Sequence, residues 1–389
     1  MTRTLPTAAI FALIVSGTVL GIAGTDLVLP AIPSLPAALG GTAQQAQLVL
    51  ASYVFGTLVG LLTFGELGAR YDPRRLLIGS LALFAVASLA AVFVDSLELL
   101  ILIRFVQGAF GSGPAVFAPG FINGLYPQDR ATQAFARLYS IESLTPALAP
   151  IAGVYLLSIG GWTLSFTILG VLGILVVTLF WLAGQSLPVK RDENAHHQSY
   201  WTILTKKAFL RHAISQSFSL GGLLIFVFGA PAVLTGPLGM SLTDFVILQV
   251  IGISMFITGA NLSSWLARRF GTEEVIVAGT SLLAAAFVLI LIYALAGGAS
   301  LFVLVPLWVL VNLGFGVRGP ISFHQAILAS AGDHSRGAAL VISGILATSA
   351  GGTAIVAPFI TIGLWPLALG GSVITVLAVA VLLALKPQR

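Results

Sequence analysis

Residues 45–94 read QAQLVLASYVFGTLVGLLTFGELGARYDPRRLLIGSLALFAVASLAAVFV. Two apolar runs, about 45–64 and 76–94, flank a polar turn that carries Glu66, Arg70, Asp72, Arg74 and Arg75. Each run has the roughly 20 residues that a helix needs to cross a hydrocarbon core. The turn between them is too short to do more than reverse the chain. The stretch therefore predicts a helical hairpin that crosses a membrane twice, with its basic turn on one side.

The rest of the chain repeats this pattern. Of its 389 residues 58% are hydrophobic and only 8% charged, against roughly 25% charge in a soluble domain. So apolar a chain cannot cover its surface in water, and lipid must be much of its solvent. Apolar runs separated by Pro, Gly and charge predict twelve spans, at about 8–29, 45–64, 76–94, 98–121, 137–158, 163–183, 209–233, 243–264, 275–296, 301–327, 338–360 and 364–385. The first run, behind Arg3, is too long for a signal-peptide core and reads as a retained span. One long polar segment, with Lys190, Arg191, Asp192, Glu193, His196 and His197, divides the chain. It sets a predicted N-terminal bundle over residues 1–184, a linker over 185–207 and a C-terminal bundle over 208–389. The fold class expected is an all-α membrane protein, with twelve helices in two pseudo-symmetric six-helix bundles.

The basic residues fix an orientation. With the N-terminus in the cytoplasm, cytoplasmic segments hold Arg3, Arg70, Arg74, Arg75, Arg130, Arg137, Lys190, Arg191, Lys206, Lys207, Arg211, Arg268, Arg269, Arg336, Lys386 and Arg389. Of the 18 Lys and Arg residues only Arg104 and Arg318 remain, and both fall inside spans. This is the positive-inside pattern, and it puts both termini in the cytoplasm. The two halves also echo each other. Leu67-Gly-Ala-Arg-Tyr-Asp follows the second span and Leu266-Ala-Arg-Arg-Phe-Gly the eighth; Ala149-Pro150 lies in the fifth and Ala357-Pro358 in the eleventh. Two repeated bundles are the architecture of alternating-access carriers.

A charge at mid-membrane costs about 2.5–3.5 kcal/mol on insertion scales, so each one asks for a reason. Asp26 lies late in the first span and Arg104 early in the fourth. Because those spans run in opposite directions, the two residues sit at similar depth, within reach of an ion pair. The pair is either a proton-coupling device or a structural lock. Glu142, a turn into the fifth span, either faces substrate or reaches the interface. Arg318, in the tenth, either meets a substrate anion or caps carbonyls freed near Pro320. Tyr53, Gln107, Asn312, Arg318 and Glu142 are the candidate substrate-pocket residues, chosen as polar, ionisable or aromatic groups on the spans. Packing is the alternative role for the polar and aromatic ones. His324 reads as interfacial, and His196 with His197 as solvated loop rather than a metal pair. The chain has no cysteine, which excludes disulfides and Cys-based metal or redox sites. Nucleotide loops and nucleophile constellations are lacking from the sequence, so no enzyme, cofactor or metal is expected. The net charge of +5 is explained by topology and does not suggest nucleic acid.

Four motifs resemble those of the major facilitator superfamily, in its twelve-span drug:proton antiporters of the bicyclomycin-resistance (Bcr/CflA-type) branch. They are Asp26-x-x-Leu29-Pro30-x-x-Pro33; Gly65-x-Leu67-Gly-Ala-Arg70-Tyr-Asp72-Pro-Arg74-Arg75; Arg104-x-x-Gln107-Gly108; and Pro146-x-x-x-Pro150-x-x-Gly153. The resemblance implies that Asp26 takes up protons or meets cationic drugs and that Arg104 serves proton coupling. It implies that Gly65, Arg70 and Arg74 form a cytoplasmic gating loop, and that Pro146, Pro150 and Gly153 form the antiporter motif. Ala69 stands where the family loop has Asp, and Asp72 or Glu66 is available to substitute. The function expected is proton-coupled efflux of small amphiphilic compounds; the alternative is a carrier for one metabolite or siderophore. The expected partners are a small-molecule substrate, protons and the bilayer. The protein is expected to act as a monomer in a bacterial inner membrane.

Overall fold

The computed structural model describes residues 6–183, 187, 200–330 and 334–385. It is all-helical, with no strand among the described residues, and it divides into two compact units, Met1–Ala195 and His196–Arg389. Among the described residues eleven helical stretches are long and apolar enough to cross a membrane. One of them, Leu144–Ala183, belongs to a 56-residue helical run, Gln128–Ala183, that breaks at Gly161. Gly161 has φ 68° and ψ −171°, a conformation that a residue without a Cβ adopts freely and that stops a helix. Counted across this break, there are the twelve passes expected.

In the first unit α1 is Thr7–Asp26, α2 Ala43–Arg70 and α3 Pro73–Ala90. Helix α4 runs Leu97–Gly111 and, past Ser112, Gly113–Leu125. Residues 128–160 form α5 and 162–183 form α6. Local chemistry sets the starts. Thr42 and Gln45 make a capping box at α2, and Asp72 Oδ1 accepts from the Arg74 amide (2.9 Å) at α3; each satisfies helix N–H groups that lack an internal partner. Pro146 and Pro150 lie within α5, yet the non-helical backbone of the run is at Gly161.

In the second unit α7 is Lys207–Thr235, α8 Leu242–Phe270, α9 Thr272–Leu295, α10 Leu301–Leu328, α11 His334–Val356 and α12 Trp365–Ala384. Its core includes Trp308, with Phe226 stacked at 4.8 Å and Phe287 edge-on at 6.4 Å. Within the span predicted as linker, Tyr200–Leu204 forms a short helix whose Ile203 packs with Phe209, Ala326 and Val341. His196 and His197, with Lys190 to Glu193, lie outside the described residues. Arg211, placed with the cytoplasmic segments by its charge, lies in the first turns of α7 and is only 3% exposed.

Large apolar side chains such as Phe93 and Phe302 are almost fully exposed, which fits a lipid surround. Lipid offers no hydrophobic drive between helices, so close packing must hold them together. The α2–α4 seam shows how this is done. A Cβ on Gly56 would lie 2.1 Å from the Phe105 carbonyl oxygen, one on Gly60 2.0 Å from that of Ala109, and one on Gly108 2.0 Å from that of Tyr53. These obstacles are backbone and cannot swing aside. Gly108→Ala is expected to force the seam apart and cost about 1–3 kcal/mol, the usual cost of overpacking, read as a lower unfolding temperature in detergent. A Gly65→Ala control, where nothing lies within 4 Å, is expected to be near neutral.

Candidate functional site

Helix α1 ends at Asp26 and the chain tightens into a 3-10 segment, Leu29–Ser34, that contains Pro30 and Pro33. The break is held from several sides. Tyr53 Oη donates to the Gly21 carbonyl (2.6 Å), Arg104 Nη1 to that of Gly24 (2.8 Å), and Ser165 Oγ to that of Leu27 (3.2 Å). The last carbonyls of a helix lack internal donors. The Val28 amide turns to Thr25 (3.3 Å), and Arg104 supplies a donor to Gly24. Gly153 lets α5 approach the same place, since a Cβ there would sit 2.4 Å from the Leu27 oxygen.

Arg104 is fully buried. Its Nε donates to the Val49 carbonyl (3.3 Å) and its Nη1 also to Gln107 Oε1 (2.6 Å). The guanidinium lies 4.1 Å over the Tyr53 ring, a favourable cation–π arrangement. The ion pair expected between Asp26 and Arg104 is not made among the described residues. The arginine's donors are aimed at backbone carbonyls and at Gln107. Asp26 is 8% exposed, a buried carboxyl with no cationic partner among the described residues.

The pocket candidates divide. Tyr53, Gln107, Asn312 and Arg318 are all buried and are engaged within their own units. Gln107 Nε2 donates to Ser88 Oγ (2.6 Å) and Asn312 Nδ2 to the Trp308 carbonyl (2.9 Å). Arg318 donates to the Ser215 carbonyl (3.3 Å), Ser215 Oγ (3.1 Å), Gln216 Oε1 (2.9 Å) and Ser322 Oγ (2.6 Å). The bonds described for these four run to partners within their own units. Glu142 differs: it is half-buried and lies beside Thr18 of α1, whose hydroxyl donates to the Val15 carbonyl (3.0 Å). Thr18 and Asp26 are eight residues apart on α1, about 12 Å at 1.5 Å per residue. Both acids thus attend the same helix at different depths.

In the expected gating loop, Arg70 pairs with Glu66 at 2.7 Å, both more than 60% exposed. Asp72 caps its own helix α3 through the Arg74 amide (2.9 Å). Arg70→Ala is expected to change stability by less than about 0.5 kcal/mol, since exposed pairs are screened. Asp72→Ala is expected to cost about 1 kcal/mol, as lost N-caps do. Chemical denaturation of the two variants beside the parent checks both.

One cluster was missed by sequence reasoning. Arg211 and His212 of α7 share the carboxylate of Glu273, at the start of α9. Arg211 also binds the Leu382 and Leu385 carbonyls at the end of α12. The available signal was two basic side chains in the first turns of an apolar helix.

The arrangement is that of a polytopic helical carrier with an isolated carboxyl at a broken helix. Residues 14–358 match the family model of the Major Facilitator Superfamily, and the chain belongs to that family. It is 24% identical over 258 residues to a bicyclomycin resistance protein homolog of Haemophilus influenzae, covering 65% of each chain. It is 26% identical over 302 residues to a chloramphenicol resistance protein of Pseudomonas aeruginosa, covering 77% of this chain and 71% of that one. It is 24% identical over 254 residues to the multidrug transporter MdfA of Yersinia pestis, covering 64% and 61%. The match thus spans just under two thirds of the first of these relatives. The fold is similar to the inward-facing, occupied crystal structure of a bacterial homologue of the human lysosomal transporter Spinster, with TM-score 0.74, 14% identity and coverage of 97% and 96%.

Proposed function

We propose that this carrier exports small amphiphilic compounds in exchange for protons by alternating access. The observation that carries the reading is Asp26, a buried carboxyl without a cationic partner among the described residues, at the break of α1. A carboxylate already neutralised by an arginine resists protonation, whereas an isolated one in low dielectric is free to change state. Proton entry from outside would release substrate outward, and loss of the proton inside would reset the site. Each charge moved down the potential supplies about 2.3 kcal/mol per 100 mV. The relatives' names, resistance proteins and multidrug transporters, support efflux.

The polar loops rich in Arg and Lys support an orientation with both termini cytoplasmic, in a bacterial inner membrane, with the monomer as the working unit. Residues 1–184 and 208–389 are the two bundles, and 185–207 is the linker. Asp26 is the proton-exchanging acid, and Arg104 braces the helix that carries it. Pro146, Pro150 and Gly153 fit α5 against that helix, while Gly65, Arg70, Asp72 and Arg74 form the gating loop. A carrier for one anionic metabolite is not favoured, because Arg318 spends donors on Ser215, Gln216 and Ser322.

Substrate-driven proton release from the purified protein, over a panel of lipophilic cations and neutral drugs, tests the reading. Release by at least one compound, with uphill transport in proteoliposomes under an imposed pH gradient, is the result expected. Transport that ignores the gradient would overturn it.

A further inference from the structure

The second unit contains a buried polar column that the export reading does not use. His212, Ser215, Gln216 and Ser219 follow each other on α7 at intervals of three or four residues or one, hence on one face, and all four are buried. Arg318 and Ser322 of α10 join this face through the bonds to Ser215 and Gln216. Four buried polar atoms in and beside the column have no partner among the described residues: Arg211 Nε, His212 Nδ1, Ser219 Oγ and Arg318 Nε. Unmet polar atoms are rare in folded proteins and ask for a reason when they gather.

The column meets a partly exposed carboxylate, Glu273. His212 Nε2 lies 3.3 Å from Glu273 Oε1, with the imidazole 8% and the carboxylate 31% exposed. Arg211 holds the other oxygen, Oε2. A carboxylate only accepts, so the imidazole proton belongs on Nε2 and Nδ1 is the atom to which a second proton adds. The charged groups facing the imidazole are Glu273 from α9, Arg211 from its own helix and Arg318 from α10. From α12 the cluster receives the carbonyls of Leu382 and Leu385, which Arg211 holds.

We propose that His212 is a second proton-binding site of this protein, reached from solvent through Glu273 and separate from Asp26. Adding the proton turns the contact to Glu273 from a neutral hydrogen bond into an ion pair, which tightens α7 against α9. It also sets a new positive charge beside Arg318, which loosens α7 from α10. One proton thus biases two helix contacts in opposite senses, at the end of the unit that the proposed orientation puts in the cytoplasm.

The first test does not depend on the export reading. The full-length protein, labelled with 13C-histidine, is titrated by NMR in detergent, beside His212→Gln and Glu273→Gln. One imidazole is expected to titrate in the parent, to be missing from the spectrum of His212→Gln, and to lose proton affinity at least tenfold in Glu273→Gln. If every signal of the parent remains in His212→Gln, or if the signal it loses does not titrate in the parent, the proposal is overturned. Should His212→Gln fail to fold, the shift or constancy of the midpoint in Glu273→Gln decides the matter. The second test uses proteoliposomes. The parent's transport rate is expected to vary several-fold with pH on the cytoplasmic side, and that of His212→Gln to vary measurably less, at unchanged substrate affinity. An identical pH profile in both overturns the role in transport. Failure of every compound to drive transport by the parent counts against the export reading alone, and the NMR titration still decides His212.

Discussion

Asp26→Asn is expected to abolish substrate-driven proton release while leaving the protein folded. The substitution keeps shape and polarity but removes the only atom set at this position that can bind a proton. Asp26 makes no ion pair among the described residues, so no cation is orphaned by the change. Removing a potential buried charge lowers the desolvation cost, so the unfolding temperature should stay level or rise. Release should fall below about a tenth of the parent's, since a one-proton difference is either carried or not. A stopped-flow pH indicator with saturating substrate measures it, with binding of the same substrate followed by tryptophan fluorescence. Retained release would move coupling to Glu142. Glu142→Gln keeps the contact with Thr18 and is the variant to make next.

Arg104→Lys is expected to have the opposite pattern: a loss of stability together with a loss of transport. The charge survives, but the planar fork does not. Arg104 reaches Val49, Gly24 and Gln107 at 3.3, 2.8 and 2.6 Å from two of its nitrogens and lies flat on Tyr53. An ammonium on a flexible stem can keep one or two of these contacts. Each buried acceptor left unmet costs about 1–3 kcal/mol, so the loss should be several kcal/mol. Since the Gly24 carbonyl belongs to the last turn of α1, Asp26 would lose its fixed position, and transport should fall more than tenfold. Thermal unfolding in detergent and proteoliposome uptake check the two halves of this expectation. A Lys variant as stable as the parent would show that the carbonyl contacts contribute little.

The contrast between these two residues bears on what was legible beforehand. Both were visible in the sequence as charges inside apolar helices, and their similar depth followed from topology. Their relation was not visible. Pairing was the natural expectation because opposite charges attract most strongly in low dielectric. The structure instead gives Arg104 to backbone carbonyls, because α1 breaks at Asp26 and the Val28 amide turns to Thr25. That break exposes acceptors which a straight helix would have kept for itself. In the same way, Tyr53, Gln107 and Asn312 were recognisable as polar or aromatic groups in apolar spans. Whether they turn to a substrate or to a neighbouring helix depends on helix rotation, which an apolar run on every face does not specify. Arg211 and His212 fell at the start of a predicted span, and only the arrival of Glu273 from α9 and the α12 carbonyls makes them a buried cluster.

The sequence by itself determined the membrane class, the twelve passes and the family motifs. Those depend on run length, charge placement and local residue order, which are written along the chain itself. The division of the run Gln128–Ala183 at Gly161 lay between two predicted spans and was legible for the same reason. Tertiary structure decided the partners of every buried charge. Apolar helices in lipid have no polar face to fix their rotation, so the contacts of Asp26, Arg104, Arg318 and His212 were set only when glycine seams and carbonyls from distant helices met.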